Sequence, residues 1–200
     1  MDSRTKAQLR LQLYHEKTDR LLAKAIFNNH FPEYKLIDNP YKMGIDLLIY
    51  PIEMGSQEAI GGVDVERQTF FRGDRYITKM NAVSIPARKA RFFRRYPLSF
   101  WLCLDWTYNN YILLSGEECL NGKHVSTPTY MGGQDNFIYV EKNKVTIHRI
   151  PNDILKNKKI MRSIRKVLQF EEENMSRPEY TVLRAQLQKI EKKLDQTELF

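Results

Sequence analysis

Apolar and small side chains near the start of the chain repeat at the period of a helix. Leu11, Tyr14, Thr18, Leu21, Leu22, Ala25 and Ile26 fall on one side at ~100° per residue, which predicts an amphipathic helix from Thr5 to Asn29 with that stripe against a core. Asn28, Asn29 and Pro32 end it. The pattern then shortens to the alternation of strands. Ile45 to Tyr50 predicts a short strand closed by Pro51, Glu53 to Gly62 a connection, and Val63 to Phe70 a second strand. In the second strand Val63 and Val65 share one face, and Asp64, Glu66 and Gln68 share the other.

Pro86 opens a short basic helix to Arg95, because proline is tolerated in a first helical turn. Phe100 to Trp106 and Tyr111 to Leu114 predict a hairpin through an Asn109-Asn110 turn. Asn136 to Val140 and Lys144 to His148 predict a further strand pair. From Ile154 the pattern is helical again, broken near Pro178, and Leu183, Leu187, Ile190 and Leu194 mark a last helix. No internal repeat or low-complexity linker interrupts the chain. The expected organisation is an α/β domain over residues 1–150 and a helical C-terminal extension over 151–200.

Composition narrows the setting. A hydrophobic share of 42% and an aromatic share of 12% suffice for a packed core, so a disordered chain is excluded. Thirty-two Lys and Arg against 24 Asp and Glu leave +8, which favours polyanionic partners, nucleic acid first. Cys103 and Cys119 are too few for a disulfide framework or a thiolate zinc site. His15, His30, His124 and His148 are scattered, with no pair at metal-ligand spacing. Met1 to Arg10 has no apolar run of a secretory signal, and nowhere do ~18 consecutive apolar residues occur. The expectation is an intracellular, cytoplasmic protein with no membrane partner.

Candidate chemistry lies between Gly44 and Gln68. Asp46 interrupts one apolar strand, and Asp64 and Glu66 interrupt the next. Carboxylates in core strands are costly to desolvate unless paired or bound to a cation. Asp64 and Glu66 point to one face, roughly 6–7 Å apart along the strand. If the two strands are neighbours, Asp46 joins them, and three hard oxygen donors without His or Cys suit Mg²⁺ or Mn²⁺. On spacing alone a strand with one solvated face is the more ordinary account of alternating acids.

The order of elements separates these readings. A helix, a strand with Asp, a returning strand with an acid-x-acid pair, a basic helix and a hairpin resemble the PD-(D/E)XK nuclease superfamily, over about residues 7 to 148. The runs Gly44-Ile-Asp46, Val63-Asp64-Val65-Glu66 and Val83-Ser-Ile-Pro-Ala-Arg-Lys89 resemble phage and microbial members whose lysine has moved to the following helix. The resemblance implies a restriction-endonuclease-like mixed central sheet flanked by helices. It also implies Asp46 and Asp64 as metal ligands, Glu66 as a third acid where the family usually has lysine, and Lys89 as the migrated catalytic lysine. DNA is the implied substrate and hydrolysis of its phosphodiester the implied reaction, with Mg²⁺ or Mn²⁺ as cofactor. A second register reads Glu66-Arg67-Gln68 as the motif, but the flanking valines favour the first.

Weaker candidates remain. Glu16 matches a first-helix Glu of some members, yet it sits about 150° from the centre of its helix's apolar stripe, so a solvated side chain is expected. Gln68 could orient a water or a phosphate, or simply lie on a strand surface. Arg88, Arg91, Arg94 and Arg95 form a candidate phosphate-binding face beside Lys89, and Phe92 and Phe93 belong to a core. Lys156, Lys158, Lys159, Arg162, Arg165 and Lys166 could be a second track or a solvated helix face. Two alternatives to an active nuclease stand. One is a nuclease-fold module that binds nucleic acid without cutting it. The other is an assembly protein whose Leu183–Leu194 helix pairs with another chain, as in a homodimer.

Overall fold

The computed structural model describes residues 3–41, 44–53, 58–68, 71–72, 75–76, 82–128 and 134–174. Two compact units emerge: Phe27–Arg149, and a second made from Met1–Ile26 with Ile150–Phe200. The chain passes from one unit to the other after Ile26 and again after Arg149. The N-terminal helix up to Ile26 groups with the C-terminal helices and not with the sheet unit.

In the helical unit, α1 (Ser3–His30) contributes its residues up to Ile26, followed much later by α4 (Asn152–Lys156) and α5 (Lys158–Asn174). Thr18, Leu22 and Ile26 of the predicted stripe are buried, joined by Ala23, while Leu21 and Ala25 are half-buried. The side chains of Leu11 and Tyr14 lie outside those described. Ile160, Met161, Ile164, Val167 and Leu168 recur at helical spacing and give α5 a buried stripe. Lys156, Lys158, Lys159, Arg162 and Lys166 are exposed. Thr18 and Ser163 join α1 to α5 through their hydroxyls at 2.7 Å, and His15 Nε2 lies 3.1 Å from Glu171 Oε1. The predicted Leu183–Leu194 helix lies outside the described residues.

The sheet unit is mixed α/β. Its strands are β1 (Tyr34–Asp38), β2 (Leu47–Pro51), β3 (Gly61–Gln68), β4 (Phe71–Arg72), β5 (Arg75–Tyr76), β6 (Ala82–Pro86), β7 (Leu98–Asp105), β8 (Asn110–Ser115), β9 (Lys123–Pro128), β10 (Gln134–Glu141) and β11 (His148–Arg149). Two short helices, α2 (Ala90–Arg95) and α3 (Gly116–Leu120), lie between them. Six strands form the central sheet in the order β1-β2-β3-β7-β8-β11, three form a smaller sheet β6-β10-β9, and β4 pairs with β5.

β2 and β3 are antiparallel neighbours, with Leu47 opposite Val63 and Ile49 opposite Gly61. β3 then runs parallel to β7, Asp64 beside Trp101 and Glu66 beside Cys103. Parallel neighbours need a crossover, and β6 and α2 lie within this one. The close approach depends on glycine: a Cβ on Gly61 would lie 1.9 Å from the carbonyl oxygen of Leu98.

One face of the central sheet, through Trp101, Cys103, Ile112 and Leu114, shares a core with Val83 and Ile85 of β6, Ile138 and Val140 of β10, Phe93 of α2 and Cys119 of α3. Both cysteines are buried and free. On the other face Phe100 meets Phe27 and Phe31, with ring centroids 5.4 and 5.1 Å apart.

Several sequence expectations need correcting. β2 begins at Leu47, so Asp46 stands just before the strand and not within it. Pro86 closes β6, Ala87–Lys89 is a 3₁₀ turn, and the α-helix starts only at Ala90. The β7–β8 hairpin exists, but its turn is Trp106–Asn109, built on buried Asp105. That carboxylate accepts from the backbone N–H of Asn109 and Asn110, the Thr107 hydroxyl and the Asn110 amide. Tyr108 takes a positive φ of 55° within it. Residues 136–140 and 144–148 do not pair with each other: β10 joins β6 and β9, and β11 joins β8. β1, β4, β5, β6, β9 and α3 were not foreseen; α3 carries a capping box, Ser115 with Glu118.

Candidate functional site

Three acids reach one region from neighbouring elements. The chain entering β2 is held by Asn39, whose amide donates to Ile45 O at 2.7 Å and whose backbone N–H donates to Asp46 O at 2.9 Å. Asp46 is thereby fixed one step before the paired part of β2. Continuing the β2–β3 register by one residue sets it opposite Asp64, and opposite residues of antiparallel strands point to the same face. Its Oδ2 accepts the backbone N–H of Val65 at 2.9 Å.

Asp64 and Glu66 lie on the face of β3 that adjoins Trp101 and Cys103, the face covered by the smaller sheet. Asp64 is 3% exposed. Lys89 comes from the 3₁₀ turn after β6, and its ammonium binds Asp64 Oδ2 and lies 3.2 Å from Glu66 Oε1. Arg88, Arg91, Arg94 and Arg95 on the same segment are all exposed, whereas Lys89 is 8% exposed. A 3₁₀ turn separates successive residues by about 120°, which lets Arg88 face water while Lys89 faces the acids.

Glu66 is gripped at both oxygens. Oε1 faces Lys89, while Oε2 accepts the Trp101 indole N–H at 3.0 Å and the Gln68 amide at 2.8 Å. Gln68 also reaches the carbonyl of Ser84 on β6, at 3.4 Å.

The charges act strongly on one another in this setting. Burial pushes the Asp64 carboxyl up to about 7; attraction to Lys89 opposes the rise, and repulsion from Asp46 and Glu66 adds to it. Burial works against the Lys89 ammonium, but Asp64 and Glu66 outweigh it and hold its pKa above the ordinary lysine value. Cys103 lies under the site with its thiol pushed well up, chiefly by burial and then by Glu66. It is therefore no nucleophile at neutral pH.

The structure thus brings together Asp46, Asp64, Glu66, Lys89 and Gln68. Glu16 is exposed on α1 and belongs to the helical unit. Arg91 lies over the Phe92 ring at 4.7 Å and Arg95 over Tyr96 at 5.6 Å. Sequence reasoning missed Trp101, whose segment was read only as one arm of a hairpin. A buried indole N–H demands an acceptor, and that was the available signal.

Among the described residues no group of three or more His, Cys, Asp or Glu side chains is arranged to hold a metal ion. At this site the positive charge present beside Asp64 and Glu66 is the Lys89 ammonium. No helix among those residues is long and apolar enough to cross a membrane. No family model, curated protein or solved structure matches the chain.

Proposed function

We propose that the chain is a restriction-endonuclease-like, divalent-metal-dependent nuclease that hydrolyses phosphodiester bonds in DNA. One observation carries the reading: Lys89, the residue marked by the family pattern as the migrated lysine, lies buried on Asp64 and Glu66 while every neighbouring arginine faces water. A buried lysine on two carboxylates is a poor way to gain stability, since desolvating the charges costs about as much as their attraction returns. Such an arrangement is better explained by chemistry. The antiparallel β2–β3 pair carrying the acids, and the basic segment in the crossover to β7, support the same fold assignment.

Asp46 and Asp64 offer hard oxygens from adjacent strands, a donor type that fits Mg²⁺ or Mn²⁺. Burial chiefly raises the Asp64 pKa, and repulsion from Asp46 adds to it; a cation would relieve that repulsion. When bound, the ion would supply positive charge at the scissile phosphate and acidify a water molecule. Lys89 would offset charge developing on the phosphate oxygens. Arg88, Arg91, Arg94 and Arg95, exposed on the adjoining segment, would hold the nucleic-acid backbone.

The test is incubation of the purified protein with linear, circular, branched and single-stranded DNA, with Mg²⁺ or with EDTA. Cleavage should require Mg²⁺ and disappear in Asp64→Asn. A parent that binds Mn²⁺ and DNA yet cuts none of these substrates would replace the enzyme with a nucleic-acid-binding module. Glu66 standing where the family has its strand lysine, with Lys89 already neutralising the acids, favours that second reading.

A further inference from the structure

We infer that Glu66 is a positioning residue for Lys89 and not a metal ligand, and that Trp101 and Gln68 hold it in that role. The inference rests on the nuclease reading for its consequence in catalysis, but its geometry stands separately. A carboxylate that ligates a metal must turn an oxygen toward the ion. Both Glu66 oxygens are already directed elsewhere: Oε2 takes two donors, the Trp101 indole at 3.0 Å and the Gln68 amide at 2.8 Å, and Oε1 faces the Lys89 ammonium at 3.2 Å. Charge-assisted bonds of this kind are the stronger class, and two on one oxygen fix the plane of the carboxylate.

The donors are themselves rigid. Trp101 is fully buried in the core between the two sheets, so its indole N–H cannot swing away. Gln68 is tied to β6 through the Ser84 carbonyl, and β6 leads through Pro86 directly into the turn that carries Lys89. The chain of contacts Trp101–Glu66–Lys89 thus runs from the core to the ammonium beside Asp64. A lysine carried on a turn and not on the acidic strand needs such a guide. Lys89 has four rotatable side-chain bonds and is carried on a short turn, so the carboxylates it meets fix where its ammonium sits. Glu66, held by Trp101 and Gln68, supplies that constraint.

Two measurements test this. In the first, Mn²⁺ affinity is compared by calorimetry in the parent, Glu66→Gln and Asp64→Asn. Glu66→Gln should stay within about twofold of the parent, while Asp64→Asn loses tenfold or more, by the scale on which even indirect partners of a metal matter. Equal losses in the two variants would make Glu66 a ligand and overturn the inference. In the second, the Lys89 ammonium is observed by ¹H–¹⁵N NMR, since its protons are slow to exchange only while held in hydrogen bonds. The signal should be present in the parent, lost in Glu66→Ala, and broadened in Trp101→Phe and Gln68→Ala. Its survival in Glu66→Ala would show that Asp64 alone holds the lysine, and would overturn the inference. The NMR measurement needs neither metal nor substrate, so it decides the positioning role even if the protein cuts nothing. If cleavage is found, Trp101→Phe should lower kcat about tenfold with KM unchanged.

Discussion

Lys89 and Asp64, 25 residues apart in the chain, meet as a buried ion pair between two sheets. The pair is not self-sufficient. Burial, with added repulsion from Asp46 and Glu66, outweighs the attraction of Lys89 and pushes the Asp64 carboxyl up to about 7. A site with this balance favours a second cation or a proton, and its behaviour should therefore depend on both.

Removing the lysine tests the pair from one side. Lys89→Ala should slow cleavage by roughly two orders of magnitude, as loss of a donor to developing charge does. DNA affinity should change little, because one lysine supplies one of many phosphate contacts. Breaking a buried pair typically costs about 3–5 kcal/mol. Here the loss should be smaller at pH 5 than at pH 8, because a protonated Asp64 tolerates the lysine's absence. Denaturant unfolding at the two pH values checks this, and an equal loss at both would mean that Asp64 is not the titrating group.

Proton linkage gives a second outcome, with a definite sign. The folded Asp64 pKa is raised, so its contribution to stability is fully present below about pH 4 and is lost as pH rises through about 7. The metal-free protein should lose stability over that window, and Asp64→Asn should flatten the profile. Mn²⁺ affinity should run the opposite way, rising through about pH 7 as the carboxylate ionises. Calorimetry at pH 6 and pH 8 reads this directly.

How much of this was legible in the sequence differs between fold and site. Asp46, Asp64 and Glu66 stood out because an acid that interrupts an apolar run is conspicuous, but their meeting was conditional on the two strands being neighbours, and Asp46 lies just before its strand. Lys89 came from the family pattern, and no periodicity argument would have found it. Trp101 was invisible because the strand Leu98–Asp105 is almost wholly buried, which hides the alternation that would set one face apart. β1 and β9 escaped for the opposite reason: only Leu36 of Tyr34–Asp38 is buried, and no residue of Lys123–Pro128 is, so neither has an apolar face to read. The pairing of β10 with β6 joins residues more than fifty positions apart, as Ile138 with Ile85, which local pattern cannot supply.

The exposed arginines make a separate claim about DNA. Arg88, Arg91, Arg94 and Arg95 all face water beside the turn that carries Lys89. Replacing any one that contacts phosphate should weaken binding across all DNA sequences alike and reduce the salt slope of log K by about 1. Arg91 and Arg95 also lie over aromatic rings, so their loss should cost at most about 1 kcal/mol in stability. Fluorescence anisotropy at several salt concentrations measures the slope; an unchanged slope in all four variants would put the nucleic-acid face elsewhere.

The sharpest outcome concerns Asp46, because its two roles predict different things. Its Oδ2 accepts the Val65 N–H, which clamps the start of β2 to β3, and its charge also repels Asp64. Asparagine keeps an oxygen in place to accept that bond but removes the charge. Asp46→Asn should therefore lose about 1 kcal/mol of charge assistance and regain a similar amount from relieved repulsion, leaving the metal-free melting temperature within a few degrees of the parent. Asp46→Ala loses the acceptor as well, leaves the Val65 N–H unpaired, and should be destabilised by about 1–3 kcal/mol. Mg²⁺ should raise the melting temperature of the parent and of neither variant, since a ligand stabilises only a state it binds. Cleavage should be absent from both. If Asp46→Asn is instead as unstable as Asp46→Ala, and Mg²⁺ moves none of the three, then Asp46 is a clamp between two strands and the site has no metal to hold.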